Sequence, residues 1–186
     1  MRTTGILLAA GLSRRFGTNK LLAQVNEETV IRRSALNLVG ARLDEVIVVL
    51  GHEAERVQAE IADLPVRFTI NASYAEGMAA SLVHGVEVAG LADGYLIALG
   101  DMPFVPTSHF QRLSSLAAQS RPLIVASSGT SGQSGPPVWF SSELRSDLLQ
   151  LQGDQGAREI VRRFGSQVVT LEADSDWLRD FDHPGD

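Results

Sequence analysis

The sequence predicts an α/β protein, with a mainly parallel central sheet and helices on both faces. Three observations carry this. Short apolar runs alternate with longer stretches of helical spacing along most of the chain. One run, Val46-Ile47-Val48-Val49-Leu50, is uninterrupted and closed by Gly51, the pattern of a strand buried on both faces. The first run, Ile6-Leu7-Leu8-Ala9-Ala10, opens directly into a loop carrying Gly11, Ser13, Arg14, Arg15, Gly17 and Lys20. Ligands of open α/β sheets bind beyond such strand ends.

In chain order, residues 6–9 read as the first strand. Residues 29–39 have helical spacing, with Val30, Leu36 and Val39 on one face. A strand at 46–50 is followed by a helix at 53–62, a strand at 66–70 and a helix at 78–88. A buried strand at 95–99, a helix at 107–118 and a strand at 123–126 continue the rhythm. It breaks after Ala126, where residues 127–137 are rich in Ser, Gly and Pro and read as loop. Val138-Trp139-Phe140 suits a short strand, and Ser141 suits the N-cap of a helix running to 149. A turn at 153–156, a helix at 157–164 and a strand at 168–171 precede the acidic tail, 177–186. There is no internal repeat and no interdomain linker, so 1–186 reads as a single domain.

At 186 residues the chain is long enough for a sizeable core. A composition 44% hydrophobic and 20% charged is that of a globular protein. No apolar stretch approaches the ~20 residues of a membrane span, and Arg2 leads into a strand-like run rather than a signal peptide. The absence of cysteine excludes disulfides, thiolate metal ligands and cysteine nucleophiles. These features together predict a cytoplasmic protein. A net charge of −6 argues against a general nucleic-acid binder, but a single anion pocket needs only local positive charge.

The loop after the first strand supplies that charge. Lys20 is the only lysine among the 16 Lys and Arg residues. Small residues let backbone N–H groups approach an anion, and the guanidinium and ammonium groups neutralise it. This predicts a polyphosphate site. It is not a P-loop, since Asn19 precedes the lysine where that pattern needs glycine. Nor does the chain contain the GxGxxG fingerprint of dinucleotide binders.

Other segments fall at strand ends. Gly100-Asp101-Met102-Pro103 follows the strand at 95–99, where a carboxylate suits Mg²⁺ and where aspartate also suits a turn. Asp180-Phe181-Asp182-His183-Pro184 puts two carboxylates on one side of an extended segment. Asn71-Ala72-Ser73-Tyr74-Ala75-Glu76-Gly77-Met78-Ala79-Ala80-Ser81 opens a helix with small residues that admit a phosphate or ribose. The late loops at 132–137 and 153–158 suit an acceptor substrate or a plain connection. His52, His84 and His109 lack metal-ligand spacing and read as surface or capping residues. Trp139 and Trp177 read as packing residues.

Together these motifs resemble the nucleotidyltransferases that mature the molybdenum cofactor. The family's LAxGxSxRxGxxK loop is matched by Leu8, Ala9, Gly11, Ser13, Arg15, Gly17 and Lys20. The Gly-Asp-Met-Pro strand end, Asn-x-x-Tyr-Ala-x-Gly-Met-x-x-Ser, Gly-Asp-x-Gly-Ala-Arg and the terminal Asp-x-Asp-x-Pro-x-Asp follow in the same order. The resemblance implies a three-layer, Rossmann-like nucleotidyltransferase fold. It is strongest to the cytidylyl-transferring branch, which carries LAAG rather than LAGG; Ala10 would narrow the base pocket toward a pyrimidine. Pro136 stands where that branch often has histidine, and His183 where the family usually has threonine.

The implied reaction joins CTP to the phosphate of molybdopterin and releases pyrophosphate, with Mg²⁺ as cofactor. Arg15 and Lys20 would hold the triphosphate. Asp101 and Asp182 would hold the metal, with Asp180 an alternative to Asp182. Leu8, Ala9, Ala10, Gly11, Ser13 and Gly51 would line the nucleotide. Asn71, Gly77 and Ser81 would sit near base, ribose or acceptor, and Gly135, Asp154, Gly156 and Arg158 would hold the acceptor. A molybdenum hydroxylase is the implied downstream partner. Competing readings are transfer from GTP, a different phosphorylated acceptor, and a non-catalytic cofactor-binding maturation protein. No flavin or nicotinamide fingerprint supports an oxidoreductase.

Overall fold

A computed structural model describes residues 1–13, 18–130, 132–154 and 156–181. The first strand, β1 (Thr3–Ala9), is buried throughout. A 3₁₀ turn at Lys20–Leu22 and a two-stranded ribbon, β2 (Gln24–Val25) with β3 (Glu28–Thr29), lead into helix α1 (Val30–Val39). Next come β4 (Glu45–Leu50), α2 (Ala54–Ala59), β5 (Arg67–Ile70), a 3₁₀ turn at Tyr74–Glu76, α3 (Met78–Ala89) and β6 (Gly94–Leu99). The chain continues through α4 (Thr107–Ser120), β7 (Ile124–Ser128), β8 (Ser134–Ser141), α5 (Arg145–Leu149), α6 (Arg158–Phe164) and β9 (Val169–Glu172).

Among the described residues the main sheet has seven strands in the order β5-β4-β1-β6-β8-β7-β9. All neighbours are parallel except β8, which runs antiparallel to β6 and β7. Side-chain alternation explains why the strands read as continuous apolar runs. Leu7, Val48 and Leu96 face a layer formed by α1, α2 and α4, with Ile31, Leu38, Val57, Phe110 and Leu113. Ile6, Ile47 and Tyr95 face the opposite layer, with Leu82 and Val86 of α3, Leu148 of α5 and Ile160 of α6. Both faces are covered, so neither can carry polar residues. The expected three-layer α/β architecture is therefore present.

Some elements differ from the sequence reading. β8 starts at Ser134, so the Gly-Pro-Pro segment expected as loop belongs to a strand. The register between β7 and β8 shifts there: Ala126 pairs with Val138, and Ser127 with Gly135. Pro136 and Pro137 fall in the irregularity, where their missing N–H groups cost no ladder bond. Helix α2 is shorter than expected and begins after Glu53, which has a left-handed backbone at φ 51°. The ribbon turns through Asn26 and Glu27, both at positive φ, a tight hairpin made without the usual glycine. Trp139 is a packing residue as expected, buried and with Nε1 donating to Thr3 Oγ1 at 3.3 Å. No helix among the described residues is long and apolar enough to cross a membrane.

Candidate functional site

From β1 the sheet grows through β4 to β5 on one side, then restarts at β6 on the other. This reversal opens a crevice at the carboxyl ends of β1 and β6, the usual ligand position in such sheets. A cleft of about 560 Å³ lies there.

One wall is the segment after β1. Leu8, Ala9, Ala10, Gly11 and Ser13 all line the cleft. A Cβ placed on Gly11 would meet nothing within 4 Å, so this backbone faces open space. Ser13 takes a left-handed conformation, φ 47°, and its Oγ accepts the Lys20 N–H at 3.1 Å. Asn19 Oδ1 accepts the Leu21 N–H at 3.1 Å and caps the 3₁₀ turn. These two bonds fix the start of the turn that carries Lys20.

The opposite wall is the end of β6. The Gly100 N–H donates to the Leu8 carbonyl at 2.9 Å, and Ser34 Oγ donates to the Gly100 carbonyl at 2.9 Å. Asp101 follows, with Oδ2 2.6 Å from Lys20 Nζ. The two side chains are 20% and 19% exposed. The basic loop and the strand-end carboxylate thus meet directly. The acidic tail arrives at the same place: the Phe181 N–H donates to the Asp101 carbonyl at 2.9 Å, and the Phe181 ring is buried. Asp180 lines the cleft. Arg14, Arg15, Gly17, Asp182 and His183 lie outside the described residues.

The remaining wall comes from the segment between β5 and α3 and from the turn before α6. Tyr74, Gly77, Met78, Ser81 and Asp154 line the cleft. Asn71 sits behind it, buried, with Nδ2 donating to Ser81 Oγ at 3.1 Å and Oδ1 accepting the Ser73 N–H at 3.0 Å. Gly51 also lies behind the lining, against Ala10 and Tyr74, and Gly156 is buried against Met78. Gly77 has φ 120°; a side chain there would run into the Asp154 carboxylate and reach within 2.7 Å of the Gly153 carbonyl. The Ala79 N–H donates to that carbonyl at 3.1 Å, joining the start of α3 to the late turn.

A second cavity of about 220 Å³ adjoins the first and shares Leu99 and Asp180 with it. Gly135 and Arg158 line it, together with Gln133, Pro136, Ser175 and Leu178. Asp180, named from the sequence as the alternative to Asp182 for the metal, lines the cleft, whereas Tyr74 and Met78 in the cleft and Gln133 and Ser175 beside it had no role assigned from the sequence. Tyr74 and Met78 stand within a recognised motif, whereas nothing in the spacing marks Gln133 or Ser175.

His109 is not the surface or capping residue its sequence suggested. It is fully buried, with Nε2 2.8 Å from Ser127 Oγ, which in turn donates to the Pro137 carbonyl at 2.7 Å. The histidine is therefore the donor to Ser127. Burial, with the nearby Arg112 charge adding to it, lowers its pKa to about 4.

The donor set suits a hard divalent cation held partly by its substrate. No cluster of three or more His, Asp or Glu side chains forms among the described residues. Mg²⁺ needs no such cage, since it takes one or two carboxylates and fills its sphere with phosphate oxygens and water. Asp101 already accepts a cation, the Lys20 ammonium, at the mouth of the cleft.

Lys20 facing a strand-end carboxylate across the switch point marks a ligand-binding crevice of an open α/β sheet. The profile described as "MobA-like NTP transferase domain" matches residues 5–169, and the chain belongs to that family. It is a nucleotidyltransferase. Purine catabolism protein PucB of Bacillus subtilis (strain 168) is 33% identical over 193 residues, covering 97% of this chain and 91% of that one. The nicotine blue oxidoreductase of Paenarthrobacter nicotinovorans is 30% identical over 86% of this chain and 81% of its own. A molybdenum cofactor guanylyltransferase of Rhizobium leguminosarum bv. trifolii (strain WSM2304) is 29% identical over 78% and 68%. The crystal structure of Rv0371c from Mycobacterium tuberculosis H37Rv superposes with TM-score 0.87 at 29% identity, covering 98% of this chain and 93% of that one. A manganese complex of Rv0371c superposes with TM-score 0.80 at 26% identity, over 94% and 90%.

Proposed function

We propose that this chain, acting as one domain over residues 1–186, transfers a cytidylyl group from CTP to the phosphate of a molybdopterin-type acceptor. The observation that carries the reading is the 2.6 Å contact of Lys20 with Asp101, which joins the basic loop to the strand-end carboxylate inside one cleft. An acceptor phosphate oxygen attacks the α-phosphorus, a new P–O bond forms, and the bond to the β-phosphate oxygen breaks as pyrophosphate leaves. The acceptor is already ionised at neutral pH, so no general base is needed. Positioning and charge neutralisation carry such transfers.

Each residue has a physical task in this scheme. The Lys20 ammonium and the backbone N–H groups near Gly11 and Ser13 draw in the β- and γ-phosphates, with Arg15 assigned to the same loop by its motif. Ala10 flanks the base, while Asn71 orients Ser81 beside it. Arg158 and Gly135, in the adjoining cavity, and Asp154 face the acceptor; Gly156 supports that side from behind. Asp101, with Asp182 from the tail, would hold Mg²⁺, which when bound supplies positive charge to the triphosphate and to the departing pyrophosphate. The manganese complex of the related Rv0371c supports a divalent ion in this family. The product suits delivery to a molybdenum hydroxylase.

A second reading, transfer from GTP, is favoured by the relative named a guanylyltransferase. Pyrophosphate release measured side by side with CTP and GTP, on a molybdopterin acceptor, separates the two. The expected result is CTP turnover faster by at least about tenfold, and loss of about 10³-fold or more in Asp101→Ala with its thermal unfolding unchanged. Preferential use of GTP would replace the cytidylyl reading. Near-normal activity in Asp101→Ala would overturn the role of that carboxylate.

A further inference from the structure

Ala10 and Tyr74 line the cleft, and Gly51 lies directly behind both. A Cβ on Gly51 would come within 2.6 Å of Tyr74 Cβ, 2.8 Å of Tyr74 Cγ and 2.8 Å of Ala10 Cβ. The atoms it meets are the root of the tyrosine, not the movable end of its ring. Tyr74 is thus seated on bare backbone, with no space behind it to withdraw into. Its ring also packs against His52, with centroids 6.3 Å apart and planes tilted by 42°. The short turn that carries it is fixed at both ends. The Ser73 N–H is held by Asn71 Oδ1 at 3.0 Å, and beyond Gly77 the Ala79 N–H is held by the Gly153 carbonyl at 3.1 Å. The wall is therefore aromatic, tied on both sides of its turn, and backed by a position where a Cβ would force Tyr74 or Ala10 to shift.

We infer that Tyr74, seated on Gly51, is a specificity-determining residue that gauges the size of the nucleotide base, admitting a single six-membered ring and rejecting a fused purine. The inference rests on the reading that this cleft takes a nucleoside triphosphate. A rigid wall discriminates by size, because a larger base must displace it; a mobile side chain would simply turn aside. The ring also offers a flat apolar face on which any base can lie. Size discrimination therefore comes from where Tyr74 is held, and Gly51 sets that place.

Calorimetric titration of CTP and of GTP, each with Mg²⁺, into the whole chain tests this in wild type, Tyr74→Ala and Gly51→Ala. Inorganic tripolyphosphate serves as a base-free probe. In Tyr74→Ala the affinity for GTP relative to CTP should rise about tenfold or more, while tripolyphosphate binding stays within about twofold. Gly51→Ala should weaken both nucleotides by about tenfold, because the added methyl meets Tyr74 Cβ and Ala10 Cβ and shifts the wall. Tyr74→Leu, which keeps an apolar side chain in the turn, should shift the ratio in the same direction and serves if the alanine variant does not fold. An unchanged CTP-to-GTP ratio in the tyrosine variants, or wild-type nucleotide affinities in Gly51→Ala, overturns the gauge while leaving the nucleotide site intact. A wild-type chain that binds tripolyphosphate but neither nucleotide overturns the functional reading and the gauge together.

Discussion

His109 illustrates how a single buried side chain links α4 to the strands that frame the second cavity. Its imidazole donates to Ser127, and Ser127 passes a bond on to the Pro137 carbonyl. Protonation would place a second N–H, on Nδ1, where no partner stands. Because the folded-state pKa is near 4, below the ordinary value of 6.5, the unfolded chain binds the extra proton first as pH falls. The contribution is complete above pH 6.5, declines below it and is spent below about 4. Urea denaturation should show wild type losing about 2–3 kcal/mol more between pH 7 and pH 4.5 than His109→Gln, whose amide can still donate to Ser127. An equal loss in both would show that this histidine does not titrate as its burial requires. Nothing in the chain around His109 marks this role, since neither Ser127 nor Pro137 is near it in sequence. Lys20 and Asp101, by contrast, were legible because each follows a strand end and each has the charge its motif needs.

Elements were legible where one physical rule dominated. β1, β4 and β6 are covered on both faces, so their sequences are unbroken apolar runs. Helix α4 shows its buried stripe at helical spacing, whereas α1 buries Val30, Ile31, Ser34, Ala35 and Leu38 and not the expected face of Val30, Leu36 and Val39, since Leu36 and Val39 lie more than about 100° round the helix from that stripe's centre. The start of β8 was hidden because Gly-Pro-Pro has loop composition, and only the register shift against β7 makes room for it. The β2–β3 ribbon was hidden because its turn uses Asn26 and Glu27 rather than glycine. The junction of α3 with the late turn was also invisible, as it joins residues more than seventy positions apart through the Ala79 to Gly153 bond. Gly77→Ala tests that junction. Its positive φ and the closeness of Asp154 and Gly153 should make the variant less stable by about 1–3 kcal/mol. The KM for the acceptor should rise more than the KM for CTP, because the displaced turn borders the acceptor side. Wild-type melting and unchanged kinetics would mean that the junction carries no constraint.

At the scale of the whole molecule, three distant parts of the chain converge on the β1–β6 switch point. The loop after β1 brings Lys20, the end of β6 brings Asp101, and the tail reaches the Asp101 carbonyl through Phe181. A net charge of −6 is compatible with an anionic substrate because Lys20 supplies local positive charge at the cleft. The fold class and the position of the cleft could be read from strand ends and apolar runs. Its side walls were less legible: Asp180, Gly135 and Arg158 were named from their segments, but Tyr74, Gln133 and Ser175 are placed by packing between segments far apart in sequence. The most direct test of this convergence is equilibrium dialysis of labelled CTP, with and without Mg²⁺, against wild type and Asp101→Asn. Convergence predicts that Mg²⁺ tightens CTP binding by at least about tenfold in wild type and has little effect in the variant. The same Mg²⁺ dependence in both proteins would contradict it, because the strand-end carboxylate and the basic loop would then not share one metal-bound triphosphate.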